Sequence, residues 1–203
     1  MPAFSTLHNE LRARVPNKTS EFYDDALRWA VNHICIKTSL WQVVTTVTTK
    51  PLQDVYDVDL VSNSVIHSNL FIIQKGNIDR VIVRPTNGFK SSGYGNSDWL
   101  QAFKTFSNEA VQIIPTPAEG NETLEIHTAV KPSSSATGVD NDKIFNEYKD
   151  TVVYGALYRL YQAESDIEQA EYNNQKFKEG VSSIHVDVLK ENANTPMLVS
   201  AAW

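Results

Sequence analysis

The sequence holds a single cysteine, Cys35, which rules out an intrachain disulfide framework and leaves the redox compartment unmarked. No apolar run approaches the ~20 residues that a membrane-spanning helix requires. The opening stretch MPAFSTLHNELRARVP lacks the apolar core of a signal peptide, which predicts a protein that is intracellular when it is made. In that setting the two glycosylation sequons, Asn17-Lys18-Thr19 and Asn121-Glu122-Thr123, read as chance matches. Basic residues are also in short supply. There are 18 Lys and Arg against 24 Asp and Glu, a net charge of -6, so the chain lacks the basic stripe of a nucleic-acid reader. DNA can still pass close by without adhesion, because like charge repels it.

What remains is an ordinary globular composition. The 203 residues are 41% hydrophobic and 21% charged, which excludes wholesale disorder and allows one large domain or two small ones with a real core.

The first forty residues carry helical spacing. Phe4, Leu7, Leu11 and Val15 recur at three and four, and Pro16 ends that short amphipathic helix. A longer helix follows in TSEFYDDALRWAVNHICIKTSLW, capped at Thr19 or Ser20, with Glu21, Asp24 and Asp25 at the favourable end of its dipole. Phe22, Ala26, Trp29, Ala30 and His33 form one face, widened by Leu27, Val31 and Ile34, a pattern suited to packing among other helices.

From about Trp41 to Val130 the period becomes two and β-branched residues dominate. WQVVTTVTTK and VYDVDLV, flanking Pro51, read as paired strands. NLFIIQ and IDRVIVR read as a hairpin about Gly76-Asn77. EAVQIIP and TLEIHTAV read as strands either side of the turn TPAEGNE. Between them PTNGFKSSGYGNSDW is long for a structureless connection, which marks it as a functional or mobile loop.

KPSSSATGVDND is a linker by composition, and helices return after it. DKIFNEYKDTVVYGALYRLYQ spreads apolar residues over more than one face. Its interior Gly155 costs about 1 kcal/mol in helix propensity, which a close helix crossing at Gly155-Ala156 explains. Ser165-Asp166-Ile167-Glu168 has the form of a capping box. Beyond it Ile167, Ala170, Asn174, Phe177, Val181, Ile184 and Val188 alternate spacings of three and four, a heptad seam that docks on another helix of this or a neighbouring chain. The expected architecture is α+β. A helical bundle comes from residues 1–40 and 142–190, with an antiparallel β-domain inserted at 41–131, a linker at 132–141 and an extended C-terminal tail at 191–203.

Catalytic and metal-binding patterns fail one by one. His33 and Cys35 are two apart on a helix and do not face each other, so a buried cysteine and a satisfied histidine is the reading. Asp140-Asn141-Asp142 with Glu147 lacks the glycine of a calcium loop and reads as the cap of a helix that begins at Asp142. SSGYGNS lacks the lysine of a phosphate loop. Asp57 and Asp59 share a solvated strand face. His8, His67, His127 and His185 show no metal spacing. The tyrosines at 148, 154, 158 and 161 read as helix packing. No catalytic residue, metal site or cofactor is predicted.

The succession of features is more informative. ALRWAVNHICIKTSLWQ leads into strands and VYDVDL. VQIIPTPAEGNETLEIHTAVKPS turns at Pro-x-Pro and ends at Lys131-Pro132. IFNEYKDTVVYGALYRLYQ is then followed by DIEQAEYNNQKFKEGVSSI. This order resembles the head-to-tail adaptor proteins of short-tailed phages, also called tail tubular protein A, over roughly residues 20 to 190. The resemblance implies a structural virion protein made in the host cytoplasm, with no enzymatic role and no membrane association. It implies a ring of twelve copies beneath the portal protein, with the tail nozzle protein below and double-stranded DNA passing through without specific binding. It also implies a C-terminal tail that reaches the portal, here Pro196, Met197, Leu198, Val199 and Trp203. Subunit packing is expected along Ile167, Ala170, Phe177, Val181, Ile184 and Val188. The loop bearing Phe89, Tyr94 and Trp99 is a candidate for nozzle or neighbour contact.

Two other functions are alternatives: a head-completion or connector protein of a long-tailed phage, and a cell-wall or glycan hydrolase using Glu122 or Asp98. The hydrolase requires two carboxylates in one concave pocket, and the sequence offers no such pair.

Overall fold

The computed structural model of the chain describes residues 3–75, 80–82, 100 and 102–193, which fall into two compact units. One is helical and is built from both ends of the chain together with Val61–Ser64. The other holds the strands, from Gln42–Leu60 and Val65–Val130. Terminal helices with antiparallel sheets between them give the expected α+β class.

In the helical unit a 3-10 turn, Phe4–Leu7, runs into α1 (His8–Arg14), and α2 (Ser20–Thr38) follows. Thr19 starts α2 by accepting the Phe22 N–H on its hydroxyl at 3.3 Å, and Ser39 ends it in the left-handed region at φ 52. The buried face of α2 is centred one residue further round than the spacing suggested. Tyr23, Leu27, Ala30, Val31, Ile34 and Cys35 are fully buried, Trp29 and His33 are half-buried, and Phe22 is 39% exposed. Tyr23 wins over Phe22 because its hydroxyl finds a partner in the core, donating to the Val15 carbonyl at 2.6 Å.

The stretch read as one helix after the linker is two, α3 (Asp142–Asn146) and α4 (Lys149–Ala163), broken at Glu147 and Tyr148. Asn141 caps α3 as expected, its side chain accepting the Ile144 N–H at 3.3 Å. α5 (Ile167–Ala193) begins one residue later than the predicted box. Ser165 takes a φ of 61, and Asp166 is the residue whose carboxylate accepts an amide, that of Gln169, at 3.1 Å. α5 packs along α4, and α2 along both. Gly155 is where they meet: a Cβ there would lie 2.7 Å from the Phe177 ring on α5 and 2.8 Å from the Ala30 Cβ on α2.

The segment whose composition reads as a linker is packed. Ala136 and Val139 are fully buried, the Thr137 carbonyl accepts from Phe4 N–H at 2.9 Å, and the Ala136 carbonyl accepts from Arg28 Nε at 2.8 Å. Serine and threonine mask the signal there, while the two small apolar residues between them do the anchoring.

The β unit is a two-layer sandwich of seven strands among the described residues: β1 (Gln42–Thr48), β2 (Val55–Asp57), β3 (Ser64–Lys75), β4 (Arg80–Ile82), β5 (Ala102–Thr105), β6 (Ala110–Ile114) and β7 (Thr123–Pro132). One sheet runs β1-β7-β3-β4 and the other β2-β6-β5. The predicted β3–β4 hairpin is present, with Ile73 opposite Val81. The other two pairings are not. β1 pairs with β7, and β2 with β6, so the strands flanking Pro51 lie in different sheets, as do β6 and β7. Period-two spacing fixes which side chains face inward; it does not choose a partner strand. Ile66, Ile72, Leu124 and Ile126 of the larger sheet meet Tyr56, Phe103, Val111 and Ile113 of the smaller, and their burial is the main driving force for closing the two layers.

Candidate interaction surfaces

No group of three or more His, Cys, Asp or Glu among the described residues is placed to hold a metal ion. Cys35 is fully buried in α2, and burial pushes its thiol up to about 12, far from the thiolate a nucleophile needs. His33 sits in an aromatic cluster, 5.4 Å from Trp29 and 5.3 Å from Phe177 by ring centroids, and burial followed by the Lys37 charge holds it below the usual histidine range. Arg159 lies over the Trp29 ring at 5.2 Å. Glu122 is tied into the β unit, accepting from Gln74 Nε2 at 2.9 Å, and Asp98 lies outside the described residues. His127 stacks on Phe71 at 4.2 Å on the face of the larger sheet, and burial lowers its pKa despite Glu125 nearby.

The residues expected to form a subunit seam divide. Ala170, Phe177, Ile184 and Val188 are buried and Val181 half-buried, facing α4 and α2 of the same chain. Ile167 is 70% exposed at an open groove of about 470 Å³ between the close of α4 and the start of α5, where Tyr158, Gln162, Ser165, Ala170, Glu171 and Asn174 form the rest of the lining. The proposed tail contacts, Pro196, Met197, Leu198, Val199 and Trp203, and the loop residues Phe89, Tyr94 and Trp99 lie outside the described residues.

Two surfaces escaped the sequence reading. At ~100° per residue, Tyr172 and Val186 fall on the side of α5 opposite its buried seam and Leu189 on the flank beside them, and all three are exposed. Their spacings of fourteen and three were visible as a second, weaker row behind the dominant one. In the β unit, Val44 is 51% exposed on β1, an edge strand of the larger sheet that carries no charged residue.

No helix among the described residues is long and apolar enough to cross a membrane. No curated protein matches the chain. A family model described as SU10 adaptor protein matches residues 2–200, nearly the full length. That span takes in the terminal helices, the sandwich and the buried segment between them. The chain therefore belongs to the SU10 adaptor protein family of phage head-to-tail adaptors.

Proposed function

We propose that this phage adaptor works as a ring, dodecameric as the resemblance to tail tubular protein A implies, set between the portal and the tail nozzle with the genome passing through its centre. The observation that carries the reading is the family match over residues 2–200. The protein is a structural component of the virion that associates with other phage head and tail proteins, and on this proposal it assembles in the host cytoplasm. A ring needs surface left over once each copy has folded, and the outward row of α5, Tyr172, Val186 and Leu189, is such surface. A net charge of -6 suits a channel through which DNA must slide, since phosphate neutralisation by Lys and Arg is what makes nonspecific binding stick.

Within this reading the tail from Pro196 to Trp203 is the strap to the portal, and the loop carrying Phe89, Tyr94 and Trp99 meets the nozzle or a neighbour. Burial of Met197, Leu198, Val199 and Trp203 against the portal at about 1.5–3 kcal/mol each is the source of the strap's affinity. Repetition around a ring adds avidity without new contacts. The test is to mix purified protein with portal and follow the complex by sedimentation and electron microscopy, with the full chain and with a chain ending at Thr195. The truncated chain is expected to keep its helical circular dichroism and to bind portal more weakly. Unfolding of the truncated chain would make the tail part of its own core. A full-length chain that ignores the portal would end the ring reading.

A further inference from the structure

Among the described residues the sandwich has four edge strands, and they are unlike. β2 is three residues long, and β4 and β5 span three and four residues among the described ones. β1 is seven residues, Gln42-Val43-Val44-Thr45-Thr46-Val47-Thr48. Six of the seven are β-branched, none is charged, and there is no proline or glycine. Its register against β7 runs unbroken from Gln42 opposite Ala129 to Thr48 opposite Thr123, with no bulge to twist the edge away. Within β1 itself there is no charge, proline, glycine or bulge of the kind that protects an edge.

The direction of its free polar groups follows from the residue after the strand. Thr49 donates its N–H to the Glu122 carbonyl and accepts from Asn121 N–H, so its polar groups point toward the β7 side. In an antiparallel ladder that direction alternates, so Val47, Thr45 and Val43 point the same way, while Thr48, Thr46 and Val44 present N–H and C=O to the open edge. Those three also have exposed side chains, and no backbone partner for them lies among the described residues.

We infer that β1 is the acceptor edge for strand addition between copies of this protein, taking the β4 edge of the next copy in the antiparallel sense. The inference rests on the ring reading. The choice of a second copy comes from the sheet itself. β1 opposes β7, and β3 opposes β4. The contacts Phe71 with His127 and Lys75 with Glu125 show β3 and β7 running opposite ways, so direction alternates across all four strands. β1 and β4 are therefore opposite in direction. Rotation about an axis along the strands preserves direction, and so lays β4 of one copy against β1 of the next as an antiparallel pair. Because the two edges differ, the contact is head-to-tail and closes only as a ring, whereas β1 paired with itself would stop at two copies.

Thr46→Pro tests this. It removes one outward N–H and leaves the β1–β7 ladder intact, the one place where an edge strand tolerates proline. Thr46→Val, which keeps the N–H, is the control. Assembly of both variants and the parent would be followed alone and with portal, by analytical ultracentrifugation and electron microscopy, and with nozzle protein by pull-down. Folding of each monomer would be checked by circular dichroism. Thr46→Pro is expected to need about tenfold or more higher concentration to assemble, with Thr46→Val like the parent. In the unaltered protein, amide exchange at Val44, Thr46 and Thr48 is expected to slow on assembly, a readout independent of any folding defect. If Thr46→Pro rings form normally and those amides stay unprotected, the inference fails while the ring stands. A Thr46→Pro ring that forms normally but loses the nozzle protein overturns it in favour of another protein's strand. A two-copy species that depends on Thr46 overturns it in favour of β1 self-pairing. If the parent never forms a ring, with or without portal, the ring reading itself has failed and this inference goes with it.

Discussion

Gly155→Ala is the substitution whose outcome the packing decides against the usual rule. In a helix interior alanine is favoured over glycine by about 1 kcal/mol. Here the added Cβ would come within 2.7 Å of the Phe177 ring and 2.8 Å of the Ala30 Cβ, from two different helices. Neither neighbour has room to yield. Phe177 is itself buried and hemmed in by Trp29 at 5.7 Å and His33 at 5.3 Å, while Ala30 has no rotamer to change. The helices must separate by several tenths of an ångström, an overpacking cost of about 1–3 kcal/mol. After the propensity gain the net destabilisation is about 1–2 kcal/mol at the upper half of that range, or a fall in Tm of about 2–8 °C for a chain of this size. Helical circular dichroism on heating measures it. Phe177→Leu in the same chain should make the Gly155→Ala penalty smaller than it is alone, because the two side chains contend for one space. A Tm that rises by the propensity gain would refute the argument, since it would mean that α2, α4 and α5 cross less tightly than the geometry requires.

Two further predictions concern α2. Cys35, with its thiol pushed up to about 12 by burial, should ignore thiol reagents at neutral pH in the folded protein and react stoichiometrically once the chain is denatured. Fast labelling under native conditions would show that the helical unit opens readily. His33 is held below the usual histidine range, so the unfolded chain takes up that proton first. Its contribution to stability is complete above a pH of about 6.5 and declines as pH falls from there toward its folded-state pKa. His33→Phe should therefore flatten the acid side of the stability profile, read from the helical signal in urea, and parallel profiles for the two proteins would refute the assignment.

The helices and the α+β class were legible in the sequence because apolar spacing reports directly on a buried stripe, and the caps at Thr19 and Asn141 declared themselves by residue type. What was missed has physical reasons. The face of α2 was misjudged because Phe22 and Tyr23 are both apolar enough for a core, and a hydroxyl bond to Val15 settles which one is buried. The Asp166 cap looked like Ser165 because both residue types cap helices, and only the backbone turn at Ser165 separates them. The partners of β1, β2, β6 and β7 are not legible in sequence order, because the sandwich sends β1 and β2, and likewise β6 and β7, to opposite layers. β5 was hidden at the end of a polar loop, although Phe103 is wholly buried. Of the interaction residues, the seam of α5 was found as a seam, but its partner is the chain's own bundle. The surfaces left open, on the far side of α5 and along β1, were overshadowed by stronger patterns on the same elements.

The insertion of the sandwich between the two halves of the helical unit also orders events at the ribosome. α2 is complete at Thr38, but its principal partner α4 starts only at Lys149, after the whole sandwich has been made. At 5–20 residues per second, roughly a hundred residues separate the two by some 5–20 s. Throughout that interval α2 has only the preceding 3-10 turn and α1 to pack against and lacks both α4 and α5, while the strands from Gln42 to Val130 are already made. Nascent chains should therefore be most vulnerable to aggregation and chaperone capture in their N-terminal helix, and least so in the strands that follow it.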